Sequence, residues 1–357
     1  MTSPGAESVL PYRSNCDTIH EDRQLQCVSG YIDRISFDSW ADTKVTTPSS
    51  CPSPSLLSDM DASVHSTEPS AKSKNLSYLD GAAYKSALFS RNVDIGPLTP
   101  APYNEPRFLH KTATRVSIPK KLESSLNHAV AIRNSAPNEA TYHLVIPLFI
   151  TEWLVGMPQL RFGLSIQWKT EPLESRGQET RSLSMPKPDI TIGFNWRSLI
   201  EDHCYSPQFI GPQYVFPISG DFETALPFFS LEVKLDGTEQ QARMQNLHAA
   251  ALMLRNLRLF FQNAHGSTDE FDTKVRVLTA TMTRDQVDVY GHWTHCSSTD
   301  SAIWYEHFLM YSWSLLGGKE EFYRVRKGLE AFCSWIAEEN HAWIVSSLGK
   351  MGIASSM

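Results

Sequence analysis

The chain lacks most of the residue patterns by which a function is read directly from sequence. Its six cysteines (Cys16, Cys27, Cys51, Cys204, Cys296 and Cys333) include no Cys-x-x-Cys pair, so neither a disulfide framework nor a zinc ribbon is spelled. No basic n-region followed by an apolar h-region opens it. Both absences lead us to expect an intracellular protein, nuclear or cytoplasmic and not secreted. The longest apolar run, Tyr142 to Met157, contains Pro147 and Glu152 and is shorter than the roughly 20 residues a membrane span needs, so no membrane partner is expected. Gly-rich phosphate loops, a Gly-x-Ser-x-Gly elbow and a dinucleotide fingerprint are missing as well. A strong charge of one sign is also absent. Residues 1–77 hold 6 Lys/Arg and 10 Asp/Glu, leaving 26 and 29 in the remainder, without the basic excess of a tight non-specific nucleic-acid binder.

What is present divides unevenly. Residues 1–77 are poor in aromatics and rich in Ser, Pro and Thr, as in Thr47-Pro48-Ser49-Ser50-Cys51-Pro52. Such a composition buries too little apolar surface to offset ordering entropy and predicts a disordered tail, with a short partner-binding element from Leu25 to Trp40 as the alternative. Residues 78–357 are expected to form a single domain, because a chain that is 41% hydrophobic and 11% aromatic can bury a substantial core.

Along that domain, the Pro/Gly punctuation at 96–102 argues for loops and short helices over 78–136. A buried helix, bent near Pro147, is expected from Asn138 to Met157. Gln159–Trp168 and Pro188–Phe194 alternate as strands, residues 195–226 read as an insertion, and Pro227–Leu235 is a third strand. A helix begins near Thr238, and Lys274–Met282 and Gln286–Trp293 form a hairpin across Thr283-Arg284-Asp285. A helical cap over 303–348, divided at Gly317-Gly318, completes the expected order.

Chemistry concentrates in two of these strands. Asp/Glu-x-Lys occurs at Asp42-Thr43-Lys44, Glu232-Val233-Lys234 and Asp272-Thr273-Lys274, but only the middle one sits in a strongly apolar strand that follows the single Pro-Asp pair, Pro188-Asp189. Side chains alternate across a strand, so Phe229, Leu231, Val233 and Leu235 share one face and Glu232 and Lys234 the other, with Asp189 facing away from the apolar set of its own strand. The bland alternative is a solvated pair of charges beside a turn-capping aspartate.

A Pro-Asp strand, then Pro227-Phe228 leading into Glu232-Val233-Lys234, then a Gln-containing helix, resembles the PD-(D/E)XK nuclease-like superfamily, and within it the fungal nuclease-like domain proteins. The likeness covers roughly residues 130–315. It implies an α/β, restriction-endonuclease-like core and Mg²⁺-dependent (or Mn²⁺-dependent) hydrolysis of phosphodiesters in DNA or RNA. Asp189, Glu232 and the Val233 carbonyl would hold the metal, an all-oxygen set suited to a hard divalent cation. Lys234 would assist the nucleophile. Glu139 is the preferred acid from the first helix, with Glu152 second, and Gln245, or Gln241 one turn earlier, matches the family's helix glutamine. The chain departs from the pattern in having Gln245-Asn246 where Asn-Gln is expected. Arg243, Arg255 and Arg258 are candidate phosphate contacts or simply a solvated helix face. His292-Trp293-Thr294-His295-Cys296 has no second ligand pair to make a zinc site. Two other readings stand beside the nuclease: a non-catalytic relative that binds protein or nucleic acid, and an accessory protein of a fungal small-molecule biosynthetic pathway. Oligomeric state is not legible.

Overall fold

Strands form where apolar residues alternate or run together, and their pairing follows chain order. In the computed structural model the described residues are 75–96, 117–146, 153–177, 181–200, 211–221, 223–235 and 239–351. Six strands make one mixed, mostly antiparallel sheet in the order β1 (Leu160–Leu164), β2 (Ile190–Asn195), β3 (Thr224–Val233), β4 (Val277–Met282), β5 (Gln286–Cys296) and β6 (Ile303–Ser314). Only β3 and β4 run parallel, which requires a long crossover between them. That crossover is a helix of 27 residues, Glu239–His265.

The other described helices are α1 (Ala82–Phe89), α2 (Lys120–Ser135), α3 (Glu139–Tyr142), α4 (Trp196–Ile200) and α5 (Pro212–Val215), with the crossover as α6 and the closing helix as α7 (Lys319–Lys350). Register divides the sheet into two unlike faces. Val233, Met282, Val287 and Trp313 align across β3 to β6, and Trp313 packs its ring against Phe332 of α7. Val233, Met282 and Val287, almost completely buried, each contribute about 1.5–3 kcal/mol. The opposite face carries Thr191, Ser230, Glu232, Thr281 and His292, all buried. Helix α6 covers it and supplies the matching polar groups: Ser230 donates to Asn246 Oδ1 (3.2 Å), and Asn246 Nδ2 donates to the Ala280 carbonyl (2.8 Å). The molecule is therefore layered, helix on sheet on helix, with one apolar and one hydrogen-bonded interface. Residues Ser73–Met357 make one compact unit.

Several expectations need correcting. The 16-residue α2 lies where only loops and short helices were expected; Leu122, Leu126, Ala129 and Ile132 recur at helical spacing and are buried, a signal outweighed by the Pro/Gly run at 96–102. Residues 303–314 form β6, not a helix: the run Ile303-Trp304-Tyr305 through Tyr311 is rich in aromatics that favour a pleated surface. Of the helix expected over Asn138–Met157, the structure describes α3 and helical residues at 145–146 and 153–155, while 147–152, including Pro147 and Glu152, lie outside the described residues. The expected tail up to residue 74, Leu25–Trp40 and Asp42 lie outside them too. The strand from Gln159 is shorter than expected, and Trp168 makes only an isolated bridge with Ile218.

Candidate active site

Strands β2 and β3 pair antiparallel with Ile190 opposite Leu231 and Thr191 opposite Ser230, so the same register places Asp189, just before β2, opposite Glu232. Opposed residues on neighbouring strands share a face, with Cβ atoms about 4.5–5.5 Å apart. The Val233 N–H donates to Asp189 Oδ2 at 2.7 Å and locks that carboxylate across the strand junction. Lys234 continues from the end of β3, where its own N–H donates to the Met282 carbonyl at 2.8 Å. The site thus sits at the carboxyl ends of the parallel pair, the usual location for ligands in sheets with parallel strands.

Helix α3 closes the group from outside the sheet. Asn138 caps it by accepting from the Thr141 N–H, and Tyr142, fully buried, donates its hydroxyl to the Thr283 carbonyl (2.6 Å) just beyond β4. Glu139 consequently reaches Lys234: Nζ donates to Oε1 at 3.0 Å, while Glu232 Oε2 lies 3.8 Å from the same Nζ. His143, one turn after Glu139, brings Nε2 to 3.7 Å from Glu139 Oε1 and 3.6 Å from Asp189 Oδ2. Five side chains therefore form a ring, Glu232, Lys234, Glu139, His143 and Asp189, closed by the two acids as cross-strand neighbours.

Burial sets the electrostatics. Asp189, Glu232 and Lys234 are only 8%, 2% and 7% exposed, which sets aside the alternative of a solvated pair of charges. Helix α6 covers the face beside Glu232 through Asn246, and Glu139 and His143 close over Lys234 and Asp189. Loss of hydration pushes the Asp189 carboxyl above its usual range, against the pull of His143 and the Val233 N–H. Glu232 is pushed up further, by burial first and by the Asp189 charge second. Burial alone would lower the Lys234 ammonium, but Glu232, Asp189 and Glu139 together outweigh it and the net direction is up. Lys234 is accordingly a fixed positive charge at neutral pH.

The structure thus brings together Asp189, Glu232, Lys234 and Glu139 and adds His143, which sequence reading passed over although its spacing from Glu139 puts both on one helical face. Gln245 is not shown joining them: its Oε1 is buried without a hydrogen-bond partner among the described residues. Its neighbour Asn246 is the one that bonds the sheet beside Glu232. Further along the same flank, Tyr84 of α1 hydrogen-bonds His248 Nδ1 at 2.9 Å, and burial brings the His248 imidazole down to about 3, so it is neutral. The three arginines are engaged within the fold: Arg243 with His307 and the Gly96 carbonyl, Arg255 with the Pro172 carbonyl and Thr170, and Arg258 with Asp272. That last pair also accounts for the third Asp-x-Lys: Asp272 anchors Arg258 and Thr294, away from Glu232. His292 is buried against Thr279 Oγ1 at 2.8 Å rather than turned toward a metal.

Asp189, Glu232 and the Val233 carbonyl offer oxygens, His143 Nε2 is the nitrogen beside them, and the two desolvated acids side by side create a local demand for positive charge. In chemical type they fit a hard divalent cation. Among the described residues, however, no group of three or more His, Cys, Asp and Glu side chains is arranged to hold a metal ion. No described helix is long and apolar enough to cross a membrane.

Fold and site together define a mixed α/β protein with a buried acid–lysine cluster at the end of a parallel strand pair. Residues 163–348, more than half of the 357, match the family described as Domain of unknown function (DUF7924), and the chain belongs to that family. The matched span includes Asp189, Glu232 and Lys234 and excludes α3 with Glu139 and His143. No curated protein matches the chain.

Proposed function

We propose that the protein is a metal-dependent phosphodiesterase acting on DNA or RNA, with a PD-(D/E)XK-like site on a restriction-endonuclease-like core. One observation carries this reading: Asp189 and Glu232 face each other on adjacent strands with Lys234 and Glu139 closing around them. The strand order, with a single parallel pair joined by a helix after an antiparallel meander, supports the core assignment. Asp189, Glu232 and the Val233 carbonyl would hold Mg²⁺ or Mn²⁺. When bound, such an ion would acidify a water and neutralise charge on the phosphate.

In this reading, water oxygen adds to phosphorus, the bond from phosphorus to the leaving oxygen breaks with its electron pair going to that oxygen, the water proton passes to solvent and the leaving oxygen takes up a proton from solvent. Lys234, kept charged by three acids, stabilises the added negative charge on the phosphate oxygens and does not serve as the base. Glu139 fixes the ammonium by its 3.0 Å contact. The test is cleavage of single- and double-stranded DNA and RNA by the purified chain with Mg²⁺ or Mn²⁺, beside Lys234→Ala. We expect the variant to lose about 10²-fold or more in rate; cleavage equal to the parent's defeats the assignment of Lys234.

A non-catalytic binding role is the second reading, favoured because no group of three or more His, Cys, Asp and Glu side chains among the described residues could hold a metal ion. Calorimetric titration with Mg²⁺ and Mn²⁺ separates the two, since binding at millimolar concentrations or tighter is required by the first and not by the second.

A further inference from the structure

We propose that the outer edge of β6 is the surface by which two copies of this chain associate, pairing antiparallel about a twofold axis into one continuous sheet. The inference is independent of any reaction at Lys234 and starts from the topology. A sheet whose strands pair in chain order has two edges, β1 and β6, and here they are unlike. Strand β1 has 5 residues, Leu160–Leu164, and its Arg161 forms an ion pair with Glu223. Shortness and charge are two of the devices that keep an edge from pairing with another chain. Strand β6 has 12 residues, Ile303–Ser314, beyond the roughly 3–10 of an ordinary strand.

A neighbour covers only the start of that edge. The Tyr305 N–H donates to the Asn92 carbonyl (2.8 Å), and the Asp94 N–H donates to the Tyr305 carbonyl (2.9 Å). Through this bridge of Val93 and Tyr305, the outer edge is already seen taking an extended segment. Among the described residues, no further backbone partner meets the outer edge from His307 to Ser314. Its N–H and C=O groups are the template that a further strand would satisfy.

The side chains along this run suit the same run in a second copy. It holds no Asp, Glu, Lys, Arg or Pro, so a strand laid against itself meets no like charge and no missing N–H. Burial brings the His307 imidazole down to about 4, so it too is neutral. Leu309 is 39% exposed and Leu316, just past the strand, 69%; they are two of the four large apolar side chains left exposed among the described residues. An antiparallel edge is complementary to itself, because a twofold axis presents the same patch from both copies and sets each N–H against a C=O. The pairing with β5 leaves Met310 as an extra residue on β6. Such a bulge twists its strand locally, so the axis belongs near Met310, with the run before the bulge facing the run after it in the second copy.

The experiment uses the full chain, with sedimentation equilibrium over a wide range of concentration and amide hydrogen exchange at both ends of that range. The parent is expected to be a dimer that dissociates on dilution, and the amides of His307–Ser314 should exchange at least about tenfold more slowly in the dimer. Leu309→Lys and Ser312→Lys, both at exposed positions, place like charges against each other across the axis and should each weaken the dimer by about tenfold or more. Circular dichroism confirms that each variant is folded, and one folded variant suffices for the comparison. A parent that stays monomeric at every concentration overturns the proposal, even if an extended peptide from another protein proves to bind this edge. So does a dimer that persists in the folded variants, or one whose added protection falls outside 307–314.

Discussion

Glu232 is a carboxyl group held beside Asp189 with almost no access to water, and that placement costs the folded state stability whenever the group is ionised. Its folded-state affinity for a proton is raised, so the native chain binds protons that the unfolded chain has released. Stability from this group therefore falls as pH rises from the ordinary carboxyl value of about 4.3 toward its elevated folded one. We expect Glu232→Gln, measured by thermal melts in chelator-treated buffer, to melt above the parent at neutral pH. The gap should widen from pH 5 to pH 8, and equal melting temperatures across that range would contradict it. At this scale much was legible in advance: a unique Pro-Asp and an Asp/Glu-x-Lys in an apolar strand pointed to three residues that do converge. Period-2 alternation separates the faces of a strand but does not say what covers each face, so burial under α6 was not. His143 was also missed, because it is a lone histidine whose meaning comes from a turn of helix ending against another segment.

Helix α7 shows how an element can contradict its own local preference. Gly328 lies inside this helix, where alanine would normally add about 1 kcal/mol. A methyl group there would overlap the indole of Trp313, which is itself wedged against Phe332. Overpacking of this kind costs about 1–3 kcal/mol, so the balance turns against alanine. Gly328→Ala should lower the midpoint of urea unfolding despite its better helix propensity; a midpoint raised or unchanged means that the Trp313 ring moves aside cheaply. The hairpin of β4 and β5 and the long α6 follow from runs whose period is unmistakable. Strand β6 does not: Ile303 to Ser314 is aromatic enough to suit either a strand or a buried helix, and pairing with β5 along its length decides between them.

Across the whole molecule, the apolar face of the sheet depends on a helix that follows every strand. A chain ending at Gly318 would leave Val233, Met282, Val287 and Trp313 without the cover of α7. Exposed patches of that kind drive association, so the shortened chain should elute as aggregate on size exclusion while the full chain does not; a well-behaved monomer of the short form would refute this. The mixture of helices and strands was readable from the sequence, whereas the last strand was mistaken for part of the cap. Because each strand pairs only with its neighbours in sequence, assembly can follow synthesis. A nascent chain that has cleared the ribosome as far as Leu235 contains both strands that carry Asp189, Glu232 and Lys234. Helix α6, which covers the polar face of the sheet, comes later in the chain, so the charged centre is laid down first and completes its unusual proton affinities only as the following helix folds over it.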